Sequence, residues 1–543
     1  MKYTILWTLC FASTLTFSNN IQVANVTLTG QNNGALYTYI QFDLSWDNSW
    51  RLSSGPNNWD AAWVFVKFQI TGGGSCAATT LWSHTTLSST SSDHSVSNNN
   101  GVGVSIDAVS DTRGVFIYRQ AAGSGSNLWQ GVKLKWNYGT DGVGNGCSVT
   151  VKVFAIEMVY VPTGNFYCGD GSVGANGRLE SASSGTPFQI TSANSPSVLG
   201  GGSVGSMGNN SNAGMLYLDD FSTTGASQNL PATFPNGYTQ FYCMKYEISQ
   251  EQYYEFLNML TGTQQANRTY ATSVGWYHAS ASGFTTPQNR NGIKCQTAPV
   301  GAIQGIYGSD LNNNGVFNEV NGDGRYIAAN FLSSSDLLAY LDWSGLRPMT
   351  ELELEKACRG PLIPVTSEFA WGTASATAAS AIANGGSDTE VTTTANANIN
   401  YANALTGPVR SGIFATGSST RVQAGASYFG VMELSGNVWE DIVGLGSVAG
   451  RAFTGLHGNG DIKASGDADV DHWPGINGNS SVSTANGTYG GVTGCTGYAG
   501  MGFAGGSFNH VYWTQVSDRQ YRGYTGLLSR DLRNGGRGVR TAP

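Results

Sequence analysis

Hydrophobic and polar residues alternate along the first part of the chain. The alternation is clearest at residues 64–70 and 132–138, and clusters of Gly, Asn and Ser separate such runs. A period of two is typical of β-strands, and no helical pattern of useful length interrupts it. Residues 19–156 are therefore expected to form an all-β domain, for which a β-sandwich is the simplest architecture.

The tryptophans of this region allow two interpretations. Trp46, Trp50, Trp59 and Trp63 are candidates for stacking on the sugar rings of a ligand. Aromatic side chains of this size more often fill a hydrophobic core, where they bury a large area. The core interpretation is favoured, and a role in carbohydrate binding remains the alternative.

The pattern changes after an apolar run at residues 149–169. Ser249 with Gln252 is a capping-box pair ahead of apolar residues at helical spacing, and Thr350 with Glu353 repeats it. Such elements alternate with long loops, which in compact domains are usually functional or disordered. The loops span residues 170–235, 262–325, 361–425 and 446–500. Residues 157–543 are therefore expected to form an α+β domain with large insertions.

Composition favours an exported protein. Lys2 precedes a largely apolar stretch up to Phe17, which predicts a signal peptide over residues 1–18, with a buried first strand as the alternative. The net charge is −8 and no basic cluster is present, so nucleic acid is not expected as a partner. No later segment reaches the ~20 apolar residues of a membrane helix. We expect a secreted or cell-surface protein.

The cysteines agree with export. Cys76 and Cys147 both lie in the N-terminal region and are candidates for a disulfide. Five others follow, so at least one thiol stays unpaired. The spacing of Cys and His indicates neither a structural zinc site nor a His-rich iron site. Apart from Cys10 in the predicted signal peptide, the other cysteines are Cys168, Cys243, Cys295, Cys358 and Cys495.

Five segments occur in order along the chain: MVYVPTGNFYCG, FYCMKYEISQEQYYEFLN, GLRPMTELELEKACRG, YFGVMELSGNVWED, and FAGGSFN with the later GGRGVR. They resemble motifs of the formylglycine-generating-enzyme family, also called the sulfatase-modifying-factor family. Each motif is weak alone, but their order and spacing are specific. The resemblance covers about residues 157–541 and implies a C-type-lectin-like fold for that part.

The resemblance breaks down at the catalytic site. The family's oxidase holds copper between two cysteines, three and eight residues after the Ser of its GGS motif. That serine corresponds to Ser507, which places His510 and Gln515 at the two positions. Thiolates are the soft ligands that select Cu(I), so copper is not expected here. We predict a non-catalytic domain; a formylglycine-generating-type oxidoreductase, or another protein-modifying enzyme with a non-standard site, is the alternative.

A calcium loop of the family is better preserved. The resemblance implies carboxylate ligands at Glu433 and Glu440, with main-chain carbonyls at Leu434, Gly436 and Val438. Hard oxygen ligands in this number suit Ca²⁺. An ion pair between Glu440 and an arginine is the alternative for that residue.

Two further segments are weaker calcium candidates. A second family site would begin at Asn398 and Ile399, but Gly412 stands near the place of its acidic partner. Independently of the family, one Asn-rich segment resembles the start of an EF-hand loop, with Asp323 as a further possible ligand. A turn capped by its own side chains explains this segment equally well. Its candidate ligands are Asp310, Asn312 and Asn314.

Ligand recognition is predicted on residues 509–524, which in the family cross the substrate groove. Tyr, Trp and Arg dominate binding hot spots because they bury large areas and still offer hydrogen bonds. Alternatively, Tyr512 and Trp513 belong to the core of a closing strand. The ligand, a protein or a glycan, stays open. The candidate contacts are Asn509, His510, Tyr512, Trp513, Arg519, Tyr521, Arg522 and Tyr524.

Overall fold

The structure is a computed structural model, mostly β with few helices. Its described residues include no helix long and apolar enough to cross a bilayer. Both the predicted signal peptide, residues 1–18, and Tyr524 lie outside the described residues. The structure describes residues 20–74, 76–172, 177–210, 214–476, 500–523 and 529–543, and the backbone of 487–489 and 492–495.

Long strands form the N-terminal region. The runs predicted at 64–70 and 132–138 are confirmed as strands, except that the second strand ends at Trp136. The elements are β1 (Gln22–Asn32), β2 (Tyr37–Arg51), β3 (Asp60–Gly72), β4 (Ser83–His84), a 3₁₀ helix (Ser91–Asp93), β5 (Ser95–Asn98), β6 (Val104–Ala108), β7 (Val115–Arg119), β8 (Gly123–Trp136) and β9 (Ser148–Val161).

Two sheets of this region enclose an apolar core. One sheet has the order β1-β2-β8-β5, and in the other β3 pairs with β7 and β9. Ile40 and Leu134 of the first sheet share this core with Val64 of the second. Alternate residues of a strand point to opposite faces, so Trp63 and Phe65 of β3 enter a second core with the C-terminal helices.

Short strands and short helices form the rest of the chain. They are β10 (Phe166–Cys168), β11 (Leu179–Ser181), β12 (Phe188–Ile190), β13 (Val198–Gly200), β14 (Met207–Asn209), β15 (Ser227–Asn229), β16 (Phe241–Met244), α1 (Gln250–Leu257), α2 (Gly262–Arg268), β17 (Ile293–Thr297), β18 (Ile306–Ser309), α3 (Ser334–Trp343), β19 (Arg347–Pro348), α4 (Glu351–Arg359), β20 (Ile382–Ala383), β21 (Val391–Thr392), β22 (Trp439–Val443), α5 (Val448–Arg451), β23 (Gly487–Tyr489), β24 (Val492–Cys495), β25 (Met501–Ala504), β26 (Asn534–Gly535) and β27 (Gly538–Thr541). Several of them interrupt the predicted loops.

Strand β9 connects the two regions. It pairs with β3 on one side and with β16 on the other. β27 then pairs with β16 and β19, so one sheet continues from the N-terminal strands to the last strand of the chain. The boundary predicted between residues 156 and 157 falls inside β9.

Four helices, α1 to α4, begin at capping boxes. Ser249 and Thr350 accept hydrogen bonds from the amides at the third helical position, which confirms the predicted starts of α1 and α4. Ser333 and Asp336 form the same arrangement at α3. The pattern Ser-x-x-Asp before an apolar run indicates that helix, but it is not among the sequence predictions.

The cysteines and tryptophans follow the favoured expectations. Cys76 and Cys147 form a disulfide across a sequence separation of 71 residues. Trp46 and Trp63 are buried, which confirms the core interpretation for these two. Trp59 stacks on the Tyr160 ring at a centroid distance of 3.9 Å. The guanidinium of Arg51 also lies over Trp59, 4.5 Å from its ring centroid, so this indole is already engaged within the protein.

Candidate functional site

An aromatic cluster forms where the segment after β25 crosses Trp439 of β22. His510 packs with its ring centroid 4.9 Å from that of Trp439 and 4.8 Å from that of Trp513. Trp513 in turn lies 5.0 Å from the ring of Tyr521. Tyr512 contacts Trp513 and is 67% exposed. We call Trp439, His510, Tyr512, Trp513 and Tyr521 the aromatic cluster.

Within this cluster, His510 is held as a neutral imidazole. Its Nδ1 lies 2.8 Å from the hydroxyl oxygen of Ser507. Burial, and then the positive charge of Arg533, lower the pKa of His510 to about 4, although Asp531 opposes the shift. Gln515, at the second copper-ligand position, is half-buried. The four free cysteines among the described side chains belong to the hydrophobic cores instead.

Arg519 and Arg522 belong to the protein interior. Arg519 lies 2.5 Å from an Asp219 oxygen and 2.8 Å from a Glu351 oxygen, and its side chain is fully buried. Arg522 donates to the carbonyl of Val516 at 2.5 Å and is buried as well. Both arginines are predicted above to contact a ligand. This part of the prediction is corrected, because buried arginines in internal ion pairs cannot reach a ligand at the surface.

The other predicted contacts lie together. Asn509 is half-buried, and its side-chain oxygen accepts a hydrogen bond from Ser507 at 3.0 Å. Trp513 and Tyr521 are half-buried and border the exposed Tyr512. Residues 509–523 therefore expose an aromatic side chain at Tyr512 and bury both arginines.

The predicted calcium loop contains two buried carboxylates. Glu433 Oε1 accepts a hydrogen bond from the amide of Gly412 at 2.7 Å. Glu440 Oε1 lies 2.5 Å from the Arg537 guanidinium. This ion pair is the alternative considered for Glu440. The second oxygen, Oε2, of each glutamate is buried and has no hydrogen-bond partner among the described residues. Burial raises the pKa of Glu433 to about 7.

Glu247 organises the backbone of this loop, and sequence reasoning did not identify it. Its Oε1 accepts from the amide of Val438 at 3.1 Å, and its Oε2 accepts from the Asn437 side chain at 2.5 Å. The amide of Gly436 donates to the carbonyl of Gly505 at 2.7 Å, which ties the loop to the segment after β25. An acidic residue just before the Ser249 capping box is the available sequence signal.

Asn398 and Ile399, predicted at the second calcium site, take part in hydrogen bonds within the protein. The Asn398 side chain accepts from the amide of Thr377 at 2.9 Å and donates to the carbonyl of Val422 at 3.0 Å. The carbonyl of Ile399 accepts from the amide of Ala379 at 2.9 Å. These oxygens therefore already have donors.

The EF-hand-like segment forms a turn closed by its own side chains. The buried Asp310 carboxylate lies 2.7 Å from the ammonium of Lys294, so a fixed cation already neutralises it. Asn312 accepts from the amide of Asn314 at 3.0 Å, and Asn314 accepts from the amide of Val316 at 2.7 Å. These contacts favour the capped-turn interpretation. No group of three or more metal-binding His, Cys, Asp or Glu residues occurs in the described part of the chain.

A comparison with known families places this geometry in context. The model of the sulfatase-modifying factor enzyme 1-like domain matches residues 150–444, more than half of the chain. The matched part begins in β9, ends after β22 and includes the loop with Glu433 and Glu440. The aromatic segment after β25 lies beyond it. A search of curated proteins found no match.

Proposed function

The chain belongs to the formylglycine-generating-enzyme, or sulfatase-modifying-factor, family, and from this premise we propose that it is an exported, non-catalytic binding protein. The observation that carries the proposal is the aromatic cluster at the positions of the family's copper ligands. There His510 is a neutral imidazole packed between indole rings and tied to Ser507. An imidazole and an amide, Gln515, are poor substitutes for two thiolates on Cu(I).

The exposed edge of the cluster is the proposed binding surface. Tyr512 is 67% exposed, and the half-buried Trp513 packs against its ring. A rigid aromatic group with a hydroxyl offers large contact area at low entropic cost. The proposed ligand is a surface protein or a glycan, and the two are distinguished by experiment.

Binding is tested with a printed glycan array and a displayed peptide library. We expect Tyr512→Ala to reduce binding to the best ligand by tenfold or more, the loss of about one hot-spot residue. Because Tyr512 is exposed, its replacement should leave the melting temperature unchanged. Val511→Ala is the matched control, since it removes an exposed neighbour outside the ring cluster. Equal binding by Tyr512→Ala and wild type would place recognition elsewhere.

The absence of oxidase activity is tested separately. Purified protein, copper and a sulfatase-type cysteine peptide should leave the mass of the peptide unchanged. Turnover that is lost in His510→Ala would instead favour the alternative, a protein-modifying enzyme with a non-standard site. Turnover retained in His510→Ala would indicate a contaminating activity.

We also propose that Ca²⁺ binds the loop at Glu433 and Glu440, with the carbonyls of Leu434, Gly436 and Val438. The two buried Oε2 atoms without a hydrogen-bond partner support this assignment, whereas Arg537 competes for Glu440. A bound ion would satisfy oxygens whose burial otherwise costs free energy. In this proposal the two carboxylates and three carbonyls would hold the ion, and calcium would supply a positive charge that compensates the buried glutamates.

Thermal unfolding with calcium and with chelator tests this site. A ligand at a hundredfold excess over Kd stabilises the folded state by about 2.7 kcal/mol. Glu433→Gln should remove most of this difference while keeping an acceptor for the Gly412 amide. Asp323→Asn in the EF-hand-like segment is the control. If Asp323→Asn instead removes the difference between the melting curves with calcium and with chelator, calcium binds the EF-hand-like segment. Identical curves of the wild type under the two conditions would rule out both sites.

Export and the N-terminal sandwich complete the proposal. The Cys76–Cys147 disulfide and the two sheets around one apolar core support an oxidising compartment and a sandwich domain. Mass spectrometry of the protein recovered outside cells should give a mature chain lacking residues 1–18. Recovery of the full-length chain in the cytoplasm would contradict the signal peptide.

A further inference from the structure

A cavity of about 500 Å³ lies where β9, the β16–α1 connection and α3 meet. Its volume falls within the range of small-molecule sites, ~300–1,000 Å³. No residue of the aromatic cluster lines it, so it is a different place in the fold. Its walls are rich in aromatic side chains, namely Phe65, Phe154, Tyr246, Tyr326, Tyr340 and Trp343.

Acidic side chains share the same cavity. One lining ammonium, Lys152, accompanies them, and Lys245 and Arg325 neutralise part of the charge from behind the wall. Arg325 pairs with Asp388 at 2.9 Å, yet burial still raises the pKa of that carboxyl. A further cation inside the cavity would therefore be favoured. The lining acids are Glu157, Glu247, Glu251, Glu255 and Asp388.

The protein's own ammonium groups already use these aromatic rings. Lys152 lies with its nitrogen 5.4 Å from the ring centroid of Phe154 and pairs with Glu255. Lys67 lies 5.0 Å from a ring centroid of Trp343, on the other part of the wall. Aromatic faces attract ammonium groups through their quadrupole. Phe154 and Trp343 also line the open space of the cavity, together with its carboxylates.

We propose that this cavity binds a small organic ammonium compound, with its cationic group near the acids and its apolar part on the aromatic wall. Two of the lining side chains keep contact with solvent, Lys152 at 38% and Glu255 at 30% exposure. Charge complementarity selects a cation over an anion, and the rings select an apolar ammonium over a hydrated metal ion. The site is independent of the function proposed for the aromatic cluster.

Choline and its uncharged isostere 3,3-dimethylbutan-1-ol are the probes, titrated into the full protein by calorimetry and by saturation-transfer NMR. Choline should bind at least about fivefold more tightly, because only the charged form gains the cation–π attraction. The proposal would be overturned by equal affinity for both probes. It would also be overturned if choline failed to bind at 50 mM, which is roughly the weakest affinity that these methods detect.

Charge variants of opposite sign sharpen the test. Asp388→Asn should weaken choline binding about threefold, whereas Lys152→Gln should strengthen it by a similar factor, since it removes the competing ammonium. Asp220→Asn is the matched control, because Asp220 also pairs with an arginine, Arg451 at 2.7 Å, but lies outside the cavity. Unchanged affinity in both Asp388→Asn and Lys152→Gln would contradict the site, even where choline binds the wild type.

Discussion

The N-terminal strands and the C-terminal loops are held in place by different interactions. Along β2, buried residues alternate with partly exposed ones over a largely apolar core. The C-terminal part instead buries whole guanidinium groups in its interior. These fully buried arginines are Arg347, Arg359, Arg519, Arg522, Arg537 and Arg540.

The difference follows from how each region satisfies its backbone. Strand ladders pair their own amides and carbonyls, so the side chains need only fill space. Irregular segments leave carbonyls without ladder partners, and buried cations bind them. Lys356 donates to the carbonyls of Gly237 at 2.6 Å and Tyr238 at 2.9 Å. Charged side chains thus fix the loop-rich region where regular structure cannot.

The largest effect is expected from Arg519→Ala. It leaves Asp219 and Glu351 as buried, uncompensated carboxylates, which should cost about 4 kcal/mol of unfolding free energy in urea. The control is Arg533→Ala, whose pair with Asp531 is partly exposed and should contribute less than about 1 kcal/mol. Similar losses in both variants would contradict the role of buried ion pairs.

Leu134→Ala should have the next largest effect, about 3 kcal/mol, because it opens a cavity in the core between the two sheets. Hydrogen exchange measured by mass spectrometry should increase first in β2 and β8. Leu128→Ala, at an exposed position of the same strand, should change stability by less than about 0.5 kcal/mol. An equal increase in the C-terminal helices would mean that the shared sheet unfolds as one cooperative unit.

Replacing both Cys76 and Cys147 by serine should lower stability by about 2 kcal/mol, since the unfolded chain regains the freedom of a long loop. Hydrogen exchange should again increase first in the N-terminal strands. Wild-type protein under a reducing agent provides the control and should show the same loss. A loss of protection from hydrogen exchange that is confined to the C-terminal region would contradict the view that the disulfide stabilises the N-terminal strands.

The smallest effect is expected at a helix start. Ser249→Ala removes the side-chain acceptor for the Gln252 amide and should cost about 1 kcal/mol. Ser249→Gly should cost only a few tenths of a kcal/mol, because glycine tolerates the N-cap conformation. Denaturation midpoints of the two variants give the comparison. A loss as large as that of Arg519→Ala would show that local caps, and not ion pairs, hold this region.

Strand alternation at β3 and β8, the capping boxes of α1 and α4, and the Cys76–Cys147 pair were accessible from the sequence. The first two depend on residues a few positions apart, where backbone geometry alone relates the side chains. The candidate site was accessible only in part. The motif spacing identified Glu433, Glu440 and the segment after Ser507, but assigned Arg519 and Arg522 to a ligand.

Local patterns and the family resemblance could be read from the sequence alone. The tertiary structure was needed to show that β9 joins both regions in one sheet, that Glu247 binds the backbone amide of Val438, and that the arginines are buried. Arg519 and Asp219 are separated by 300 residues, and Asn437 and Glu247 by 190. Contacts over such separations arise from packing of the whole chain, because no periodicity or short motif relates residues so far apart.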